Sequence, residues 1–146
     1  MFESILVGTD GSDTAGVAVA RAVAMAMALG ARLQIVSAYE PVPERGLRIE
    51  RVRVPSDVQV NLREEVLAML DAARTDAEAA GVARVETFAR LGDAADAILD
   101  VAEEQGSDLI VVGNKGMTGA TRFLLGSVPN KVSHHAPCSV LIVRTR

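Results

Sequence analysis

Two short stretches of the chain combine glycine with hydroxyl or charged residues in a way suited to holding an anion. One is Gly8-Thr9-Asp10-Gly11-Ser12, which follows the apolar run Ile5-Leu6-Val7. The other opens at Gly113 directly after Leu109-Ile110-Val111-Val112. It reads Gly113-Asn114-Lys115-Gly116, then nine residues, then Gly126-Ser127, the spacing G-x2-G-x9-G-S. Glycine lets the main chain come close to a ligand and take positive φ without strain. Successive N–H groups in such a turn form a concave anion site, and a helix N-terminus adds unpaired donors and a favourable dipole. The chemistry this suits is non-covalent capture of phosphate. Ser127 has two compatible roles, because a capping hydroxyl and the first helical amides face the same anion. Lys115 and Arg122 fit either phosphate pairing or plain solvation at the surface. Asp10 suits an Asx-turn after a strand. Beside a phosphate its charge is tolerated only against sugar hydroxyls, a base amine, or Mg²⁺ held through water.

Other chemistries are poorly represented. The sequence has no Walker A pattern, no Ser-His-Asp order, no paired carboxylates near the glycines and no metal-ligand cluster. The adjacent His134 and His135 point to different faces of a helix, which makes a poor chelate and a good surface pair. Cys138 is the one cysteine, expected to pack at a strand start, and a lone thiol fits a reducing cytoplasm. A net charge of -4 and a pI near 5.2 argue against a nucleic-acid partner, which needs a basic face. Aromatics at 3%, with no Trp, give no platform for stacking bases of a single strand. No basic region precedes the first apolar run, so no signal peptide is expected. The apolar stretch from Ala15 to Leu29 is interrupted by Arg21 and falls short of a membrane span. A soluble cytoplasmic protein is the expectation.

These residues need elements to position them. The length of 146 residues and the 49% hydrophobic content predict one domain, 1–146, with a real core. That core must be Val, Leu, Ile, Ala and Met; Met25 and Met27, in an Ala-rich helix, are expected inside it. Strands are predicted at 4–9, 32–38, 84–90, 107–113 and 139–144. Helices are predicted from Ser12, a good N-cap, to Leu29 before Gly30, at 57–80 closed by Gly81, at 93–105, and from Gly126-Ser127 to His135 before Pro137. Residues 40–55 break the rhythm. Pro41, Pro43 and Pro55 bracket Arg45, Arg48, Arg51 and Arg53 in an extended surface segment, or a lid. Strand–helix alternation implies an α/β fold with a parallel sheet between two helical layers. Near-continuous apolar strands fit burial on both faces. Ligands in such sheets bind beyond the carboxyl ends of the strands, where strand order reverses. If the first and fourth strands are neighbours, both glycine turns meet at one edge.

Over essentially its whole length the chain resembles the universal stress proteins. The likeness rests on Val7-Gly8-Thr9-Asp10-Gly11-Ser12, on Asp108 to Gly113, on Gly113 to Gly119 through Leu125-Gly126-Ser127-Val128, and on the closing Ala136-Pro137-Cys138-Ser139-Val140-Leu141-Ile142-Val143. It implies a Rossmann-like three-layer sandwich with a five-stranded parallel sheet in the order 3-2-1-4-5. It also implies the branch of the family that binds ATP through G-x2-G-x9-G-[S/T]. On that basis Gly113, Gly116, Gly126 and Ser127 would hold ribose and phosphates. Asp10 would lie on the adenosine side, and Ala38 would offer main-chain groups to adenine. Thr9, Val112, Lys115, Arg122 and Val128 complete the implied nucleotide contacts. Many relatives carry a bulkier aliphatic residue where this chain has Ala38, which leaves room for cyclic AMP or another adenine nucleotide. Mg²⁺ is expected with ATP, whose charge exceeds that of Lys115 and Arg122. The family also implies a homodimer through the last strand, Val140 to Val143. The function expected is regulatory, with nucleotide occupancy modulating interactions under stress. A weak ATP hydrolase and a nucleotide-free dimeric adaptor are the alternatives.

Overall fold

Among the described residues the alternation in the sequence becomes nine elements: β1 (Ser4–Gly8), α1 (Asp13–Leu29), β2 (Arg32–Tyr39), α2 (Ser56–Ala80), β3 (Val85–Leu91), α3 (Ala94–Gln105), β4 (Leu109–Gly113), α4 (Ser127–His135) and β5 (Ser139–Val143). The structure, a computed structural model, describes residues 1–39, 56–114 and 125–145, with residues 56–62 by their helical main chain alone. Lys115, Gly116, Arg122 and the arginine-bearing segment 40–55, with the lid reading attached to it, lie outside the described residues.

The strands form one parallel sheet in the order β3-β2-β1-β4-β5. This is the expected order. Side chains alternate across the sheet, so a fully apolar strand feeds two cores at once. Ile5, Val7, Leu33, Ile35, Leu109 and Val111 face α1 and α2. Leu6, Val36, Ile110 and Val112 face α3 and α4. The two faces are therefore covered by different helix pairs. Among the described residues no helix is long and apolar enough to cross a membrane.

Local chemistry sets the helix boundaries. The Ser12 hydroxyl accepts from the Ala15 amide at 3.2 Å and starts α1, and Gly30 ends it with φ 65°. The Asp93 carboxylate caps α3 through the Asp96 amide at 3.1 Å. The last helix differs from expectation by one residue: Gly126 is the N-cap, without a side-chain hydrogen bond, and Ser127 is the first helical residue. At the sheet's amino edge, Asp108 accepts from the amides of Glu3 and Ser4 at 2.9 and 3.0 Å. Buried Gln34 lies 3.1 Å from the hydroxyls of both Ser4 and Ser107. These contacts tie the starts of β1, β2 and β4 together, far from the glycine turns.

Helix α1 packs through Ala18, Ala22 and Ala26, spaced i, i+4, i+8 and all but inaccessible. Small side chains there let the helix axis lie close to the sheet, at the cost of little apolar area per residue. The expectation that both methionines of this helix are internal fails for one of them. Met25 packs against the core, but Met27 is 48% exposed, near Gly81 at the rim. A helix apolar on nearly every side has no sharp periodicity from which to choose its inner face. Packing through Ala22 predicts that Ala22→Leu lowers the unfolding free energy by about 1–3 kcal/mol through overpacking. Ala20→Leu, at an exposed position of the same helix, should stay within about 0.5 kcal/mol. Urea unfolding midpoints of the two variants distinguish these outcomes.

Candidate functional site

Because β2 and β3 extend the sheet on one side of β1 while β4 and β5 extend it on the other, strand order reverses between β1 and β4. A cleft opens there at the carboxyl ends, enclosing about 630 Å³ of space partly continuous with solvent. Its floor includes Gly8, Val36, Val112 and Gly113. From one face of the sheet α3 contributes an apolar wall of Ala94, Ala97 and Ile98, with Ala38 of β2 beside it. On the α1 side the lining is polar, with Thr9, Asp10, Ser12 and Thr14. The first turn of α4 reaches the cleft through Val128 and Pro129.

Small residues create the hollow. A Cβ on Gly8 would stand 2.6 Å from Ile98 Cδ1, so glycine at the end of β1 is what lets Ile98 cross above it. The turn that follows is held by its own side chains. Thr9 donates its amide to Val36 O at 2.9 Å, and its hydroxyl accepts from Gly11 N at 3.1 Å. Asp10 Oδ1 accepts from Ser12 N at 2.9 Å, which is the Asx-turn geometry. Gly11 sits at φ 81°, a conformation L side chains resist. Asp10 thus reaches the cleft as an exposed carboxylate on a fixed turn, next to three hydroxyls.

The other glycine stretch is closed at its base. Gly126 N donates to Asn114 O at 3.0 Å, and Asn114 N donates to Val143 O at 2.8 Å. The Gly126 amide is therefore consumed internally and gives nothing to an anion. What Gly126 supplies is a buried N-cap without a Cβ. Helix geometry leaves the amides of Ser127 and Val128 without intrahelical acceptors, while Pro129 has no N–H to leave unpaired. Among the described residues, the donors available at this end are those two amides and the Ser127 hydroxyl.

Of the residues singled out from sequence, Thr9, Asp10, Ala38, Val112, Gly113 and Val128 line one cleft. Gly126 and Ser127 adjoin it through Val128. The sequence reading missed the α3 wall, together with Ser37, Thr14 and Pro129. A signal for α3 was present: Gly92, at φ 122°, and the capping Asp93 repeat on the third strand the glycine-then-cap arrangement of the first. Helices α3 and α4 are tied across their exposed sides by Lys131, whose ammonium lies 2.8 Å from Asp96 and 3.4 Å from Asp93. The Asp96 hydrogen bond, ahead of the smaller opposing effect of burial, holds the Lys131 ammonium above its ordinary pKa. Burial first, and then the Asp108 charge, push the Cys138 thiol up, so it stays protonated at neutral pH and packs against the α3–α4 core. His134 and His135 are exposed, and among the described residues no group of three His, Cys, Asp or Glu could hold a metal.

Comparison with known proteins agrees with this architecture. The universal stress protein family model matches residues 1–144. A universal stress protein of Thermus aquaticus is 40% identical, over 99% of this chain and 100% of the relative. The fold superposes on a universal stress protein solved in complex with cAMP, with TM-score 0.73, 36% identity, and 99% and 98% of the two chains covered. It also superposes on UspA from Lactobacillus plantarum, with TM-score 0.82, 25% identity and 98% of each chain covered. The chain belongs to the universal stress protein family.

The geometry of the first turn predicts that Gly11→Ala costs about 1–2 kcal/mol of stability from the left-handed backbone alone. The Cβ would add a 3.3 Å contact with Met69 Cγ. The loss is read as a shift in the urea midpoint, and an unchanged midpoint would show that the turn relaxes to negative φ.

Proposed function

We propose that the chain binds an adenine nucleotide in the β1–β4 cleft, with ATP and Mg²⁺ as the leading ligand, and that occupancy modulates what the protein associates with. The observation that carries this reading is the convergence of three surfaces at the strand-order reversal: an apolar slot, a hydroxyl-rich turn and the start of a helix. An adenine ring suits the slot formed by Ala38, Ala94, Ala97 and Ile98, where the walls are flat and small. Ribose hydroxyls suit Thr9, Asp10 and Ser12, which offer acceptors and donors on a rigid turn. Phosphates suit the far end, where the amides of Ser127 and Val128 and the α4 dipole face outward. Lys115, Gly116 and Arg122 are proposed as further phosphate partners on the strength of the glycine spacing and the family resemblance.

The donor set suits a hard cation only in part. Asp10 and its neighbouring hydroxyls are oxygen ligands, but one carboxylate does not make a protein-built Mg²⁺ site. The ion would arrive with the triphosphate, neutralise it, and meet Asp10 through water. Asp10 is also the one carboxylate among the described cleft-lining residues, and it is already engaged with Ser12 N. That arrangement favours holding a nucleotide over turning it over.

Cyclic AMP is the second reading. It is favoured by the small Ala38 and by the relative at 36% identity that was solved with that ligand. A cyclic monophosphate needs fewer phosphate partners than ATP, so the two ligands demand different things of the α4 end. Thermal unfolding with ATP–Mg²⁺, AMP and cyclic AMP separates them. The preferred ligand at a hundred times its Kd should add about 2.7 kcal/mol, a melting shift of roughly 5–10 °C at this size. No shift with any of the three would overturn the reading in favour of a nucleotide-free adaptor.

We propose also that β5 is where association occurs. Among the described residues it is an edge strand paired with β4 alone, and Ile142 on it is 37% exposed. An open apolar edge invites strand addition, and a two-fold copy of the same strand closes it. Ile142→Lys should then give a monomer by sedimentation velocity while the wild-type chain is a dimer. A monomeric wild type would rule this interface out.

A further inference from the structure

Asn114 is bonded at four points, and none of them was foreseen as part of the site. Its side-chain Oδ1 accepts from both the amide and the hydroxyl of Thr145, at 2.9 and 3.0 Å. Its own amide donates to Val143 O at 2.8 Å, and its carbonyl accepts from Gly126 N at 3.0 Å. One residue thus joins the end of β4, the exit of β5 and the N-cap of α4. We propose that Asn114 is the positioning residue of the anion end of the cleft, and that Thr145, near the end of the chain, belongs to the same device. The inference rests on the nucleotide reading above.

Without the clasp, the end of β4 and the N-cap of α4 would lose their direct link. Gly113 lines the cleft and has no side chain to fix its neighbours. Residues 114 to 125 separate it in sequence from the N-cap at Gly126. With the Asn114 peptide free to rotate, α4 would still be held on α3 through Val128, Val132 and Lys131, but no direct bond would fix its N-cap relative to Gly113. The Asn114 carbonyl bond to Gly126 N supplies that link. That bond holds only if the Asn114 peptide keeps its orientation. The Oδ1 bonds to Thr145 and the amide bond to Val143 hold the residue from the opposite side. A clasp that merely fastened the segment after β5 would need only the side-chain bonds; the Asn114 amide continues the β4–β5 ladder, and it is the carbonyl bond to Gly126 N that reaches a third element. Asn114 itself is not among the residues lining the cleft, so it acts through Gly113 and Gly126.

Two variants break the clasp from opposite sides. Asn114→Ala removes the acceptor. Thr145→Pro removes both donors and leaves Asn114 in place. Thr145→Val removes the hydroxyl and keeps the amide bond, so it is the mild variant least at risk of misfolding. Titration calorimetry with ATP–Mg²⁺ and with adenosine provides the readout, because adenosine has no phosphate to misplace. Affinity for ATP–Mg²⁺ should fall about tenfold in Asn114→Ala and in Thr145→Pro, the scale of one or two neutral hydrogen bonds. Thr145→Val should lose about threefold. Adenosine should change less than about twofold in all three, and the double variant Asn114→Ala/Thr145→Pro should bind ATP no more weakly than either single one. Wild-type affinity for ATP in the variants, an equal loss for ATP and adenosine, or additive losses in the double variant would each overturn the inference. A wild-type chain that binds neither ligand would instead overturn the nucleotide reading itself, and the positioning role with it.

Discussion

Ile5, Leu6 and Val7 pair in parallel with Leu109, Ile110 and Val111, and this contact governs what the rest of the molecule can do. Parallel pairing puts the carboxyl ends of β1 and β4 side by side. Each strand then ends in a glycine, Gly8 and Gly113, and both glycines reach the same cleft. Helices leave from either side because the chain has filled the sheet outward in both directions. Topology therefore places a crevice at this point. The side chains decide its character. Alanines on α3 keep one wall low and apolar, and hydroxyls around Asp10 make the other polar.

Much of this was legible before any coordinates. Apolar runs bounded by glycine, proline or capping residues marked every strand and helix of the described chain, because each boundary has its own chemical cause. Ser12 and Asp93 accept amide hydrogen bonds, while Gly30 and Gly106 take left-handed conformations. Strand order came from the family resemblance; periodicity alone gives no neighbours. The sequence was weaker wherever a role depends on a distant partner. Nothing local says that Ile98 must cross Gly8, that Asn114 reaches Thr145, or that the Gly126 amide is spent on Asn114. Met27 was misplaced because an alanine-rich helix offers little contrast between its inner and outer faces.

The proposed phosphate end differs in one detail from what the glycine pattern suggests. A glycine pattern suggests amides gathered around an anion. Here at least one of those amides, that of Gly126, closes the base of the connection instead. In the proposed function the anion's donors are therefore those of the first turn of α4, with Lys115 and Gly116 as further proposed partners. That turn packs on the same α3 that forms the apolar wall, and Lys131 braces the two helices through Asp93 and Asp96. The apolar wall and the first turn of α4 thus share one packed core, and β5 is joined to α4 through Asn114. In the proposed function, a ligand that tightens these contacts would act on the edge strand without touching it, and occupancy and association would be linked in that sense.

Amide chemical-shift mapping during titration with ATP–Mg²⁺ locates the ligand on the main chain itself. Shifts concentrated at Gly8 to Ser12, Ala38, Gly113 and Ser127 to Val128, saturating together, are the predicted result. Saturable shifts confined to another face of the molecule, with these amides unmoved, would contradict the account.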